Sequence, residues 1–286
     1  MPSRSLCEGK RRNARSYKSY ILLFVCFATK AVHLELISDL TSKAFIAAFD
    51  SFRVEVDPRK CIRITGLPSW ALIDKFKNYT TYIMINKFSP RLKIFCELEI
   101  SWNPLNAPHF GGLWEAAIKS KYHMTRIVGK AYLTFEEMQM TLCEIKAILN
   151  SRPLLPLSAD PNDVAYLIPG HFLVGTTLNG LSCVDLSDVN ENRLLPWQHV
   201  EQTRQHFWRR WNNEYLHSLQ IRTKWMANKG TQLSTNQLVL IRQPNLALLQ
   251  WAMGRVQEVH SDPDGIATVK TAKDSYVSPL SINITN

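Results

Sequence analysis

The densest set of residues suited to chemistry lies in Asn103-Pro-Leu-Asn-Ala-Pro-His-Phe-Gly-Gly-Leu-Trp-Glu115. Two prolines stiffen the approach, and Gly111-Gly112 permits close backbone contact or a positive φ where a helix starts. Glu115 then falls in the first helical turn, facing the positive end of the macrodipole. That position also suits an acidic residue with no function at all. The six cysteines (Cys7, Cys26, Cys61, Cys96, Cys143 and Cys183) are scattered, with no Cys-x-x-Cys and no nearby histidine pair. They read as buried or idle thiols in a reducing compartment, not as a zinc site or a disulfide frame.

Charge is the second chemical signal. The 286-residue chain carries a formal net charge of +10, and most of it sits in two zones. Residues 1–20 hold Arg4, Lys10, Arg11, Arg12, Arg15 and Lys18 against Glu8 alone. Residues 196–230 hold Arg204, Arg209, Arg210, Arg222, Lys224 and Lys229 against Glu201 and Glu214. Two cationic zones on a balanced body point to a polyanionic partner, nucleic acid before membrane. The first zone suits DNA contact or a nuclear localisation signal, and equally a solvated loop. The longest apolar run, Ile21–Ala28, has eight residues, well short of the roughly 18–20 that span a bilayer. The first residues are polar and basic with no apolar h-region, so nothing there reads as a secretory signal. The expectation is an intracellular chain without a membrane partner.

The elements that must position these residues are legible in part. Tyr20–Phe27 is a continuous apolar run, the pattern of a strand covered on both faces. After a break at Ala28-Thr29-Lys30, Val32, Leu34 and Leu36 alternate with His33 and Glu35, which predicts a half-buried partner strand with His33 facing outward. From Thr41 the spacing of Phe45, Ala48, Phe49 and Phe52 predicts a helix, with Asp39 or Thr41 as its N-cap. Cys61–Ile64 and Leu98–Trp102 read as further strands, while residues 68–95 show no decisive period. A helix is expected from about Gly112 to Val128. Another opens on the capping box Thr134-Phe-Glu-Glu137, carries the stripe Met138, Leu142, Ile145 and Leu149, and is stopped by Pro153. Strand, strand, helix, strand is the signature of an α/β domain on a mixed sheet.

From Pro153 to Pro196 the chain is rich in Pro, Gly, Asn and Asp, the composition of a long surface connector. From Trp197 the helical period returns in Val200, Phe207, Trp208, Trp211, Tyr215 and Leu219, which predicts a helix roughly 40 Å long. Its aromatic stripe is read as core packing in preference to base stacking. Arg204, Arg209, Arg210 and Arg222 interleave with it and are expected to reach phosphates from the other face. Short strands follow at Gln237–Arg242, Gly254–His260, Ile266–Thr271 and near Tyr276, with Asp264-Gly265 as a hairpin signal. A small SH3-like barrel is the natural closure for such a meander.

Ala107-Pro-His-Phe-Gly-Gly-Leu-Trp-Glu115 resembles the third-carboxylate motif of BEL/Pao-type retrotransposon integrases. Other stretches resemble the same family in the same order: Leu23–Leu36, Ala147-Ile-Leu-Asn-Ser-Arg-Pro-Leu154, Asp160-Pro-Asn-Asp163 with Pro169-Gly-His-Phe-Leu173, Gln205-His-Phe-Trp-Arg-Arg-Trp211, and Gly254-Arg-Val256. The resemblance implies an RNase-H-like integrase core over residues 1–155, a connector over 156–196, and a C-terminal domain over 197–286 in which a long basic helix precedes a small β-barrel. It further implies a D, D, E carboxylate set holding two Mg²⁺ ions that clamp the attacking and leaving oxygens at a phosphodiester. DNA or RNA is the implied partner, with Lys10, Arg11, Arg12, Arg15, Lys18, Arg204, Arg209, Arg210, Arg222 and Lys224 as candidate contacts. The implied location is nuclear, and an oligomer is expected, as in integrases.

The sequence departs from the family pattern at the carboxylates. The first Asp belongs upstream of the segment matching Lys10–Leu23, and this chain begins at Met1, past that position. The second belongs after Cys61–Ile64, where Thr65-Gly66-Leu67 stands instead; Asp57 and Asp74 are out of place. No His/His/Cys/Cys zinc module precedes the core. Glu115 alone remains, and one carboxylate cannot hold two Mg²⁺ ions. His109, ahead of the glycine pair, would line the former cleft. The expectation is a truncated, decayed and inactive integrase-like chain, or else a non-catalytic DNA/RNA-binding or chromatin-interaction module.

Overall fold

The computed structural model describes residues 4–7, 16–26, 29–55, 126, 133–178, 180, 183–219, 234–243, 246–259, 267–271, 275–278 and 281–283. The expected strands at Cys61–Ile64 and Leu98–Trp102 lie outside them. Of the helix expected near Gly112–Val128, only Arg126 is described, in helical conformation. The chain divides into two units: Met1–Lys121 with Tyr132–Leu142, and Tyr122–Ala131 with Cys143–Asn286.

In the first unit, β1 (Arg4–Cys7), β2 (Ser16–Val25) and β3 (Val32–Ile37) form an antiparallel sheet in that order. The β2–β3 hairpin is the one the apolar pattern predicts, in the register Tyr20↔Ile37 through Val25↔Val32. The intervening turn is closed by the Cys26 N–H donating to the Ala31 carbonyl at 2.8 Å, and Lys30 takes a positive φ of 60°. β1 was not expected; it pairs with the start of β2, Leu6 opposite Tyr17, and buries Leu6.

Helix α1 (Ser42–Glu55) begins where the sequence places it. The Thr41 hydroxyl accepts from the Ala44 N–H at 3.3 Å, and the Asp39 carboxylate accepts from the Thr41 N–H at 2.8 Å. Hydrogen bonding from the Thr41 side chain, and then from its backbone N–H, holds the Asp39 carboxyl below the usual carboxylate range. Phe24 meets Phe45, Phe49 and Phe52 of α1, with the Phe52 ring stacked at 5.2 Å. Phe24 and His33 are cross-strand partners, so α1 lies on the face that the alternation assigned to solvent. On the opposite face Ile21, Val25, Val32, Leu34 and Leu36 are buried as well. The half-buried reading of β3 is therefore corrected: five of its six residues are buried, and only Glu35 is partly exposed.

Helix α2 (Phe135–Asn150) opens on its capping box. The Glu137 carboxylate accepts from the Thr134 N–H at 3.1 Å, and the Thr134 hydroxyl accepts from the Glu137 N–H at 3.3 Å. Met138, Leu142, Ile145 and Leu149 are all buried, as the stripe requires. Replacing Thr134 by alanine should lower stability by about 1 kcal/mol in urea denaturation, with serine restoring most of it.

In the second unit the connector is more ordered than its composition suggests. It holds a short hairpin, β4 (Leu155–Pro156) with β5 (Tyr166–Leu167), the helix α3 (Pro169–Val174) and a 3₁₀ turn at Glu191–Arg193. Pro169 opens α3 with φ preset, and Gly175 closes it at φ 77°. Helix α4 (Pro196–Ser218) follows, 23 residues long and so about 34 Å. The last part is a five-stranded antiparallel sheet of β6 (Leu238–Ile241), β7 (Met253–Val259), β8 (Ala267–Thr271), β9 (Ser275–Ser278) and β10 (Ser281–Asn283). Its order is β10-β6-β7-β8-β9, so the last strand returns to pair with the first. A register shift between Val256 and Glu258 marks a bulge in β7. Val239, Ile241 and Val256 form its buried core with Ala252 packed against them.

Candidate nucleic-acid interface

Most of the expected catalytic cleft lies outside the described residues: Glu115, Thr65 and His109 all do. So do the cations Lys10, Arg11, Arg12, Arg15, Arg222 and Lys224. Four of the expected phosphate contacts are described, and they divide sharply. Lys18 is exposed on β2. Arg210 is exposed on α4 and forms no ion pair with a described residue. Arg209 is half exposed, with its guanidinium 2.7 Å from the Asp185 carboxylate. That carboxyl is held below the usual range mainly by its bonds to Ser187.

Arg204 has another role. Its side chain is 11% exposed, with one nitrogen 2.8 Å from Glu144 of α2 and the other 2.6 Å from Glu201. The second nitrogen also lies 3.3 Å from the Cys183 sulfur. Burial opposes its charge, but hydrogen bonds and Coulombic attraction from Glu144 and Glu201 outweigh that and hold its pKa above the ordinary arginine value. Arg204 was expected to reach phosphate; in this structure its forked end is taken by two carboxylates.

The aromatic stripe of α4 is core, as expected. Phe207, Trp208 and Trp211 are buried. Trp251, from the loop before β7, stands edge-on to Trp208, Trp211 and Tyr215, with ring centroids 5.1, 5.7 and 5.4 Å away. The Tyr215 hydroxyl donates to the Pro153 carbonyl at 2.9 Å. Burial pushes that hydroxyl's pKa up, with the charge of Arg152 opposing.

Stretches that are far apart in sequence meet here. Ala147–Leu154 forms the end of α2 and the turn after it, where the Ser151 hydroxyl donates to the Ile148 carbonyl at 2.8 Å and lies 3.4 Å from Trp251 Nε1. Within Gln205–Trp211, Gln205 donates to the Val184 carbonyl at 2.8 Å and accepts from the Leu186 N–H at 2.9 Å. Next to it, Gln202 donates to the carbonyls of Leu186 and Val189 at 2.8 and 2.6 Å, and His206 Nε2 lies 3.0 Å from the Ser187 carbonyl. Within Gly254–Val256, Arg255 is buried and donates to the carbonyls of Asp163, at 2.6 Å, and Ser158. In Pro169–Leu173, His171 Nδ1 accepts from the Ile168 N–H at 3.0 Å, closing the start of α3. A Cβ on Gly170 would lie 2.9 Å from the Leu178 side chain, so a larger residue there would force that side chain to move.

His33 is the residue the alternation misread. It is 2% exposed, with Nδ1 2.8 Å from Glu55 and Nε2 2.9 Å from Glu35. Phe52 packs against its ring at 5.6 Å. An outward polar residue in a two-period strand reads as solvent-facing; here α1 brings an apolar ring and a carboxylate over it.

Among the described residues no group of three or more His, Cys, Asp or Glu is placed to hold a metal ion. Glu35 and Glu55 are both engaged with His33. Glu115, the candidate metal ligand, lies outside the described residues.

Among the described residues no helix is long and apolar enough to cross a membrane. Residues 195–282 match a family of unknown function (DUF5641), a span that runs from the N-cap of α4 into β10. The chain matches no curated protein.

Proposed function

We propose that this chain is an integrase-like nucleic-acid-binding protein of retrotransposon origin, of the DNA-integration class, that no longer performs strand transfer. The observation that carries the reading is a contact between two of its family-like stretches, in a unit that holds two more. Gly254–Val256 and Asp160–Asp163 are separated in sequence, yet Arg255 of the first donates to the Asp163 carbonyl of the second. Ala147–Leu154 and Gln205–Trp211 lie in the same unit, where Ser151 meets Trp251 and Gln205 holds the Val184 carbonyl. The strand order β10-β6-β7-β8-β9 supports an SH3-like barrel at the end of the chain. The antiparallel β1-β2-β3 sheet with α1 on one face supports the opening of an RNase-H-like core. Catalytic loss rests on the sequence: Thr65 stands where the second metal-binding Asp belongs, and a hydroxyl is a poor substitute for an anionic ligand to Mg²⁺. A nuclear location and an oligomeric state belong to the same reading.

Binding to random-sequence DNA or RNA should fall steeply with salt, by about 10³-fold or more between 50 and 200 mM for some six phosphate contacts. Arg210→Glu should lower the salt slope by about one contact. With DNA ends and Mg²⁺ or Mn²⁺ the chain should give no strand-transfer product. Product formation that Glu115→Gln abolishes would overturn the claim of lost catalysis. A flat salt response would overturn nucleic-acid binding and favour a protein-interaction module.

A further inference from the structure

We propose that the helix–barrel module carries a built acceptor for peptide main chain, centred on Arg255, and that this chain fills it in cis with the loop of its own β4–β5 hairpin, Ser158–Asp163. The proposal does not depend on nucleic-acid binding.

The acceptor is a cation buried without a counter-ion. Arg255 is 4% exposed, yet among the described residues no carboxylate pairs with it. Every guanidinium nitrogen is instead aimed at amide oxygen. Nε donates to the Asp163 carbonyl, Nη2 to the Ser158 carbonyl, and Nη1 to the Asn236 carbonyl at 2.9 Å. Burying a guanidinium is unfavourable unless its donors are filled, and an apolar residue would serve packing better. What Arg255 adds is a rigid fork that reads the spacing of carbonyls. Asn236 completes the acceptor. It adopts φ 69°, a left-handed conformation that asparagine tolerates, and its side-chain amide donates to the Ala159 carbonyl at 3.1 Å.

The loop is shaped to be the ligand. Its amides are used internally: Asp160 N–H donates to the Ser158 hydroxyl, Asn162 N–H to the Asp160 carboxylate, and Ala165 N–H to the Asp163 carboxylate. Pro161 has no N–H to place. The carbonyls of Ser158, Ala159 and Asp163 are thereby left for the barrel. Ala159, Asp160, Pro161 and Asn162 are all exposed, so hydrogen bonds to main chain hold the loop more than apolar burial does. Such a contact is reversible, and covalent linkage keeps it closed because the loop is present at an effective concentration on the order of millimolar. The partner chemistry that fits an opened site is an Asp-Pro-Asn-Asp type turn presenting the same three carbonyls.

The test uses the full chain. Arg255→Lys keeps the charge and removes the fork. Hydrogen exchange at Asn162, Asp163 and Ala165 should then rise by about tenfold or more while β6 and β7 stay protected. Asp160→Ala/Asp163→Ala loosens the loop without touching the barrel. That variant should bind a synthetic peptide of residues 158–165 at concentrations where the wild-type chain binds none, and adding Arg255→Lys should abolish the binding. Unchanged loop exchange in Arg255→Lys would overturn the proposal. So would an equal rise across β6 and β7, which would make Arg255 a core residue only. If Arg255→Lys does not fold, the peptide experiment decides alone: no peptide bound by the loop variant overturns the acceptor.

Discussion

Trp251→Ala is expected to destabilise the second unit by about 3–5 kcal/mol, the range for deleting a large buried aromatic side chain. Trp251 is 7% exposed and meets three aromatic rings of α4 edge-on, a geometry that adds to the area it buries. Its indole N–H also lies near the Ser151 hydroxyl at the end of α2, so one residue just ahead of β7 joins α4 and α2 to the terminal sheet. For a unit of this size the loss should lower Tm by roughly 6–20 °C, read by calorimetry or circular dichroism. Trp251→Phe should retain much of the difference. The hairpin β2–β3, in the other unit, should keep its amide protection. The same measurement separates core packing from base stacking. A stacking residue would lose about 1–3 kcal/mol of binding per base with stability intact. A stable Trp251→Ala chain with weakened binding to single-stranded DNA would reverse the core reading of this cluster.

What the sequence made legible is what repeats locally. The period-two and continuous runs gave β2 and β3, the Thr134–Glu137 spacing gave the start of α2, and the Phe207–Tyr215 stripe gave the buried face of α4. Strands of the terminal meander were also visible, because each is bounded by turn residues. The misread residues depend on partners at long range. Glu55, which with Glu35 brackets His33, lies 22 positions away, and Glu144 lies 60 from Arg204; Arg255, given no role from its sequence, finds the Asp163 carbonyl 92 positions away. A polar residue on an alternating strand, or a basic one on an amphipathic helix, has the same local pattern whether it meets water or a carboxylate. β1 and β10 were missed for a related reason: each is too short to show a period and exists through pairing with a longer strand. The connector was underestimated because its order comes from its neighbours. The side chains of Gln202, Gln205 and His206 supply the bonds that its irregular backbone cannot make for itself.

Arg204→Ala is expected to cost about 2–4 kcal/mol of stability and to leave the salt dependence of DNA binding unchanged. Breaking a buried ion pair from one side typically costs about 3–5 kcal/mol, because the remaining charge loses its partner. Here the lower range applies, since Glu144 is 40% exposed and water can screen it, whereas Glu201 is only 14% exposed and cannot escape as easily. The two carboxylates would then face each other without the cation between them. Arg204→Met, apolar and of similar length, should recover packing but not the charge balance. Adding Glu201→Gln to Arg204→Met should therefore recover more than either change made singly. The contrast with Arg210 makes the outcome decisive. Arg210→Glu should alter the salt slope with Tm nearly constant, and Arg204→Ala should alter Tm with the slope constant. If Arg204→Ala instead lowered the slope by one contact at unchanged Tm, its guanidinium would have to leave Glu144 and Glu201 for phosphate on binding.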